Sequence, residues 1–116
     1  GTTGQNFVGL YSSSGPLLAA SADQTTNFST TGLKTVALTS PQTLAVGTYY
    51  VAFLANHATT APSVAGGGGN SSIINAGLAS GTWRFINTAA GNTSLPASIT
   101  LSAQSTNIAG RWAALT

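Results

Sequence analysis

Along this chain, short stretches alternate large apolar residues with small or polar ones at a period of two, and turn-forming residues separate them. In Phe7-Val8-Gly9-Leu10-Tyr11, the residues Phe7, Gly9 and Tyr11 fall on one side and Val8 and Leu10 on the other, the pattern of an extended strand. Ser12-Ser13-Ser14-Gly15 reads as a hairpin turn, because Gly15 adopts positive φ at little cost. Leu17 to Ser21 is then the returning strand. Asp23 is placed to cap a short helical turn over Gln24 to Phe28 by accepting a free backbone N–H. Lys34 to Thr39 predicts a third strand, broken by Pro41. The strongest strand pattern runs from Thr48 to Asn56, with Tyr49, Val51, Phe53 and Ala55 on one face and Tyr50, Ala52 and Leu54 on the other. Two apolar faces predict a central strand covered on both sides.

Beyond Asn56 the pattern loosens. His57 to Asn70 reads as a long loop containing Pro62 and the run Gly66 to Gly69. Four glycines lose much conformational entropy on ordering, which suits a mobile or binding element. Ser71 or Ser72 starts a short helical turn through Ile73, Ile74 and Leu78, ending near Gly81. Trp83 to Ile86 is a strand with Arg84 facing opposite to Trp83 and Phe85, Ala89 to Pro96 a loop, Ile99 to Leu101 a short strand and Ala109 to Leu115 the last one. About seven or eight short strands with closely spaced turn signals predict an all-β fold, an antiparallel sandwich. There is no internal repeat, and residues 1–116 read as one domain.

Charge changes this picture most. Asp23 is the only acidic side chain, set against Lys34, Arg84 and Arg111, and His57 is the only histidine. General acid–base catalysis needs titratable groups in convergent positions, so the chain reads as a non-enzyme. Cysteine is absent, which removes disulfides, thiol nucleophiles and soft metal ligands. No metal site and no cofactor is expected, since Ca²⁺ usually takes more than one carboxylate and His57 has no second ligand at suitable spacing. Three scattered cations do not form the basic patch of a nucleic-acid binder. No apolar run reaches the length of a membrane span. The polar surface is instead hydroxyl and amide, from 18 Thr, 14 Ser, 8 Asn and 4 Gln. That chemistry suits contacts with other proteins or with neutral ligands such as glycans.

Candidate ligand-binding residues follow from that surface. Trp83 and Tyr50 offer aromatic faces for a sugar ring, while Asn56, His57 and Asn70 bring hydrogen-bonding groups to the two ends of the Gly-rich loop. Each has a plainer alternative: the aromatics belong to the core and His57 is a solvated loop residue. The Gly66–Gly69 run lacks the Lys-Ser/Thr that would make it a phosphate cradle, and Ser13 and Ser14 lie on a hairpin tip without a nucleophile elbow.

Three stretches together carry a resemblance: Asn6-Phe7-Val8-Gly9-Leu10-Tyr11-Ser12-Ser13-Ser14-Gly15-Pro16-Leu17-Leu18-Ala19; Gly32 to Leu38 with Gly47 to Leu54; and Leu95 to Thr100 with Trp112 to Leu115. The ensemble resembles the β-rich domains of tailed-bacteriophage virion proteins, in particular minor tail and tail-fibre-like proteins of phages that infect actinobacteria. The resemblance implies a jelly-roll-like β-sandwich at the virion surface and supplies no catalytic residues. It implies partners among other virion proteins and a homo-oligomer, with a trimer as the expected count. Members begin one or two strands earlier, so the chain is expected to be a fragment, or to have a sandwich edge completed by residues outside it or by a partner. The function expected on this basis is a tail or fibre-like module for attachment to a host-surface glycan. The alternatives are a decorating or cementing protein of the phage head and a carbohydrate-binding module of a secreted enzyme.

Overall fold

The computed structural model of the chain describes residues 2–59, 62–64, 66–67, 75–106 and 110–116. The fold is β-rich: seven strands, one four-residue helix and one 3-10 turn among the described residues. The chain forms two compact units, Gly1–Pro62 with Gly91–Ile99, and Ser63–Ala90 with Thr100–Thr116.

The first unit is built on an antiparallel sheet of β1 (Asn6–Ser12), β2 (Leu17–Ala20) and β3 (Tyr49–Ala55), in the order β2-β1-β3. Hydrophobic alternation in Phe7 to Tyr11 produces the middle strand, and its two faces are both closed: Leu10 is 2% exposed and Tyr11 1%. Between β1 and β2 the Ser12–Gly15 turn forms as its sequence predicts, with Gly15 at φ +111° and its N–H donating to the Ser12 carbonyl. A Cβ at position 15 would collide with the Ile99 carbonyl oxygen, so glycine is required there for space as well as for φ.

Segment 95–99 closes over the hairpin. The Tyr11 hydroxyl donates to the Pro96 carbonyl (2.7 Å), Leu17 N–H to Ala97 (2.9 Å) and Ile99 N–H to Gly15 (3.0 Å). Gly9 lets this segment approach, since a Cβ there would lie 2.6 Å from the Leu95 side chain. Burial pushes the Tyr11 hydroxyl pKa up, which keeps it a donor.

Two expectations for this unit are corrected. The Thr48–Asn56 segment does form a strand, but β3 flanks β1 instead of being central, none of its residues is buried, and Phe53 is 38% exposed. Apolar content on both faces reports what a strand tolerates, whereas sheet order is set by which partners arrive on either side. Lys34 to Thr39 is no strand. It keeps the period of two, with Lys34, Val36 and Leu38 half-buried. Among the described residues it pairs only at its end, through the Ser21–Leu38 bridge and Thr39 N–H to the Ala20 carbonyl.

Among its described residues the second unit has two-residue ladders: β4 (Gly66–Gly67) with β7 (Gly110–Arg111), and β5 (Ile86–Asn87) with β6 (Ser105–Thr106). Gly66 and Gly67, expected within a mobile loop, are therefore paired; Gly68, Gly69 and Asn70 lie outside the described residues, as do Ser71 to Ile74 of the expected helical turn. Trp83 to Phe85 is not strand. The Asn75 side chain accepts from the N–H groups of Arg84 (2.8 Å) and Phe85 (3.2 Å) and donates to the Phe85 carbonyl (2.8 Å). One amide thus replaces the neighbouring strand. The expected strand at Ile99 to Leu101 ends at once, because Leu101–Ala103 is a 3-10 turn closed by Ala103 N–H to Thr100 O. Of the expected Ala109–Leu115 strand only Gly110–Arg111 is paired, and Trp112 is 72% exposed; Ala109 lies outside the described residues.

Candidate functional site

The polar centre of the first unit is Asn6, which is fully buried at the start of β1. Its side-chain amide donates to the Thr2 carbonyl (2.6 Å) and the Thr25 hydroxyl (2.7 Å), and its side-chain oxygen accepts from Asn56 N–H (3.1 Å). Its own N–H donates to Asp23 Oδ1 (3.1 Å), and its carbonyl accepts from Gln24 N–H (2.7 Å). Every hydrogen-bonding group of the residue has a partner, as burial requires. Among the described residues no buried side-chain polar atom lacks one.

Asp23, the sole carboxylate, belongs to this network. Partial desolvation acts to raise its pKa, but the Thr25 hydroxyl and the N–H groups of Gly4, Asn6 and Thr25 outweigh it and hold the carboxyl below its ordinary value. The helix that follows, α1 (Thr25–Phe28), has Gln24 at its N-cap position with no side-chain cap bond. As the sequence predicts, Asp23 accepts at the start of the turn, from the N–H and hydroxyl of Thr25, the first residue of α1, and it also ties that turn to Asn6 at the start of β1. A carboxylate engaged this way is an ionised acceptor, not a proton donor near neutral pH.

The sequence-derived ligand residues do not converge on one demonstrated site. Tyr50 and Asn56 are on and just after β3, both half-buried. Tyr50 pairs in register with Tyr11. Asn56 is taken up by structure: its N–H bonds Asn6, its carbonyl accepts from Thr2 N–H (2.7 Å) and its side chain donates to the Asn92 carbonyl (2.6 Å). His57 is the exposed next residue. Trp83 belongs to the second unit, half-buried, with its ring N–H donating to the Leu78 carbonyl (3.0 Å). Asn70 lies outside the described residues.

Of the three cations, Lys34 bonds neutral oxygens. Lys34 donates to the Thr30 hydroxyl (2.5 Å) and the Thr31 carbonyl (3.4 Å), while Arg84 and Arg111 are exposed. Among the described residues no three His, Cys, Asp or Glu side chains come together as metal ligands, and no helix is long and apolar enough to cross a membrane.

Asn6 and Asn75 are the residues that sequence reasoning passed over. Asn6 flanks a predicted strand and Asn75 falls within the expected helical turn; asparagine is a poor strand former, and the value of both lies in satisfying backbone groups that no described ladder reaches. Searches against protein-family models, curated proteins and solved structures found no match to this chain.

Proposed function

We propose that this chain is a non-enzymatic structural component of a tailed-phage virion, a tail or fibre-like module that meets the host surface through neutral, hydroxyl- and amide-rich contacts. The observation that carries the non-catalytic part is the use of the only carboxylate in holding the Asn6 network. With that group engaged and no cysteine in the chain, the remaining chemistry is recognition by shape and hydrogen bonding. The virion assignment rests on the sequence resemblance. A jelly-roll-like sandwich belongs to the same proposal, and the antiparallel β2-β1-β3 sheet, apolar on both faces, is consistent with one leaf of it.

A second reading, decoration or cementing of the phage head, is favoured by apolar side chains displayed on loop residues: Leu33 is 84% exposed and Val46 fully so. Such positions suit packing against a neighbouring protein better than sugar recognition. Locating the chain by cryo-electron microscopy on the intact particle separates the readings. Copies on the tail support attachment and copies on the head lattice support decoration. Absence from purified particles overturns both. Attachment further predicts binding to host cell-wall glycan that falls in a folded Trp83→Ala variant.

A further inference from the structure

Residues 88–104 form a loop whose two ends are joined in the second unit and whose middle, Gly91–Ile99, belongs to the first. Its base is the β5–β6 ladder, which pairs Asn87 with Ser105 and Ile86 with Thr106. The Ser80 hydroxyl reinforces that base by donating to the Ser102 carbonyl (2.7 Å). The limb that leads back to β6 is stiffened by the 3-10 turn at Leu101–Ala103, where Ala103 N–H donates to Thr100 O (3.0 Å) and Gln104 N–H to Leu101 O (3.3 Å).

The middle of the loop is tied down along its length. The Asn92 carbonyl accepts from the Asn56 side chain (2.6 Å) and the Pro96 carbonyl from the Tyr11 hydroxyl (2.7 Å). The Ala97 carbonyl accepts from Leu17 N–H (2.9 Å), Ile99 N–H donates to the Gly15 carbonyl (3.0 Å), and Ser98 meets Pro16 in an antiparallel bridge. Ile99 is buried with Leu10 and Tyr11. We propose that this loop is a clasp that couples the two units: closure of its β5–β6 base in the second and its grip on the β1–β2 hairpin in the first stabilise each other.

The coupling needs only chain continuity. Docking the middle of a loop costs the entropy of restricting its ends as well. A base already closed by β5–β6 removes part of that cost, so the grip forms at a higher effective concentration. Linkage is reciprocal, and the docked middle returns the same factor to the base. A ladder of two residues is marginal without such support. Whatever opens the β5–β6 base therefore loosens the hairpin, and whatever detaches residues 91–99 from the hairpin loosens the base. The inference does not depend on the virion assignment.

A redox-controlled base tests the clasp, because the chain has no cysteine of its own. Asn87→Cys with Ser105→Cys replaces an exposed cross-strand pair at a spacing that a disulfide spans. The amides of Leu17 and Ile99 read the grip, since each bonds across it. In the full-length chain, oxidation should slow the native-state hydrogen exchange of both amides about tenfold relative to the reduced form. Ser80→Ala, which loosens the base from the other direction, should speed both about threefold. Equal rates in the two redox forms, or Leu17 and Ile99 responding separately, overturn the proposal. Should the cysteine pair fail to fold or to oxidise, unchanged rates in Ser80→Ala overturn it.

Discussion

The two units satisfy their backbone polar groups by different means. In the first, a seven-residue ladder between β1 and β3 does most of it, and the buried Asn6 network covers the groups left over where β1 begins. In the second, the ladders among the described residues are two residues long, and side chains such as Asn75 and Ser80 bond to the backbone in place of neighbouring strands. The consequence is a difference in cooperativity. A ladder shares its order along its length, while each side-chain clip holds only a few residues. The buried hydrophobic residues follow the same division: Leu10, Tyr11, Ala19 and Ile99 belong to the first unit and Leu101 to the second.

Gly15→Ala should produce the largest effect. It forces a Cβ toward the Ile99 carbonyl at a φ that suits glycine, and about 3–4 kcal/mol of stability should be lost, read as a shift in the urea midpoint. Asn6→Ala should cost about 2–3 kcal/mol, since it leaves the Asn56 N–H without its acceptor and takes one bond each from the Thr2 carbonyl and the Thr25 hydroxyl, which keep Gln5 N–H and Asp23 as partners. Amide exchange should then rise throughout β1 and β3 together. If only the residues around Asn6 respond, the first unit is less cooperative than its ladder implies.

Asn75→Ala sharpens the contrast from the other side. It should cost about 1–2 kcal/mol, with faster exchange at Arg84 and Phe85 and no change in the β1–β3 amides. The smallest effect is electrostatic. The Asp23 carboxyl is held below its ordinary pKa in the folded chain, so its contribution is fully present above about pH 4 and is lost as pH falls through the lower folded value. Asp23→Asn should flatten that acid limb of the stability profile by slightly lowering stability at neutral pH while leaving it little changed in strong acid. An unaltered acid limb would show that the network does not depend on the charge.

The β1–β2 hairpin was legible because its information is local: alternation over Phe7 to Tyr11, then a serine-rich turn ended by Gly15. The helical turn at Thr25–Phe28 was legible for the same reason. Trp83 to Phe85 misled because aromatic residues at a period of two look like a strand whether the backbone meets a neighbouring strand or the amide of Asn75. Lys34 to Thr39 keeps the alternation, but among the described residues it pairs only at its Leu38–Thr39 end. Of the candidate ligand residues, Asn56 was chosen for its amide, and that amide is spent on Asn92.

The sequence by itself determined that this is a β-rich chain with almost no ionisable chemistry, because strand period and residue count need no knowledge of what lies across space. Only the tertiary structure decided that β1 and not β3 is central and that the lone carboxylate is held by Asn6 and Thr25. Those outcomes depend on partners distant in sequence (Asn6 with Asn56, Tyr11 with Pro96), and local pattern carries no record of which segments will meet.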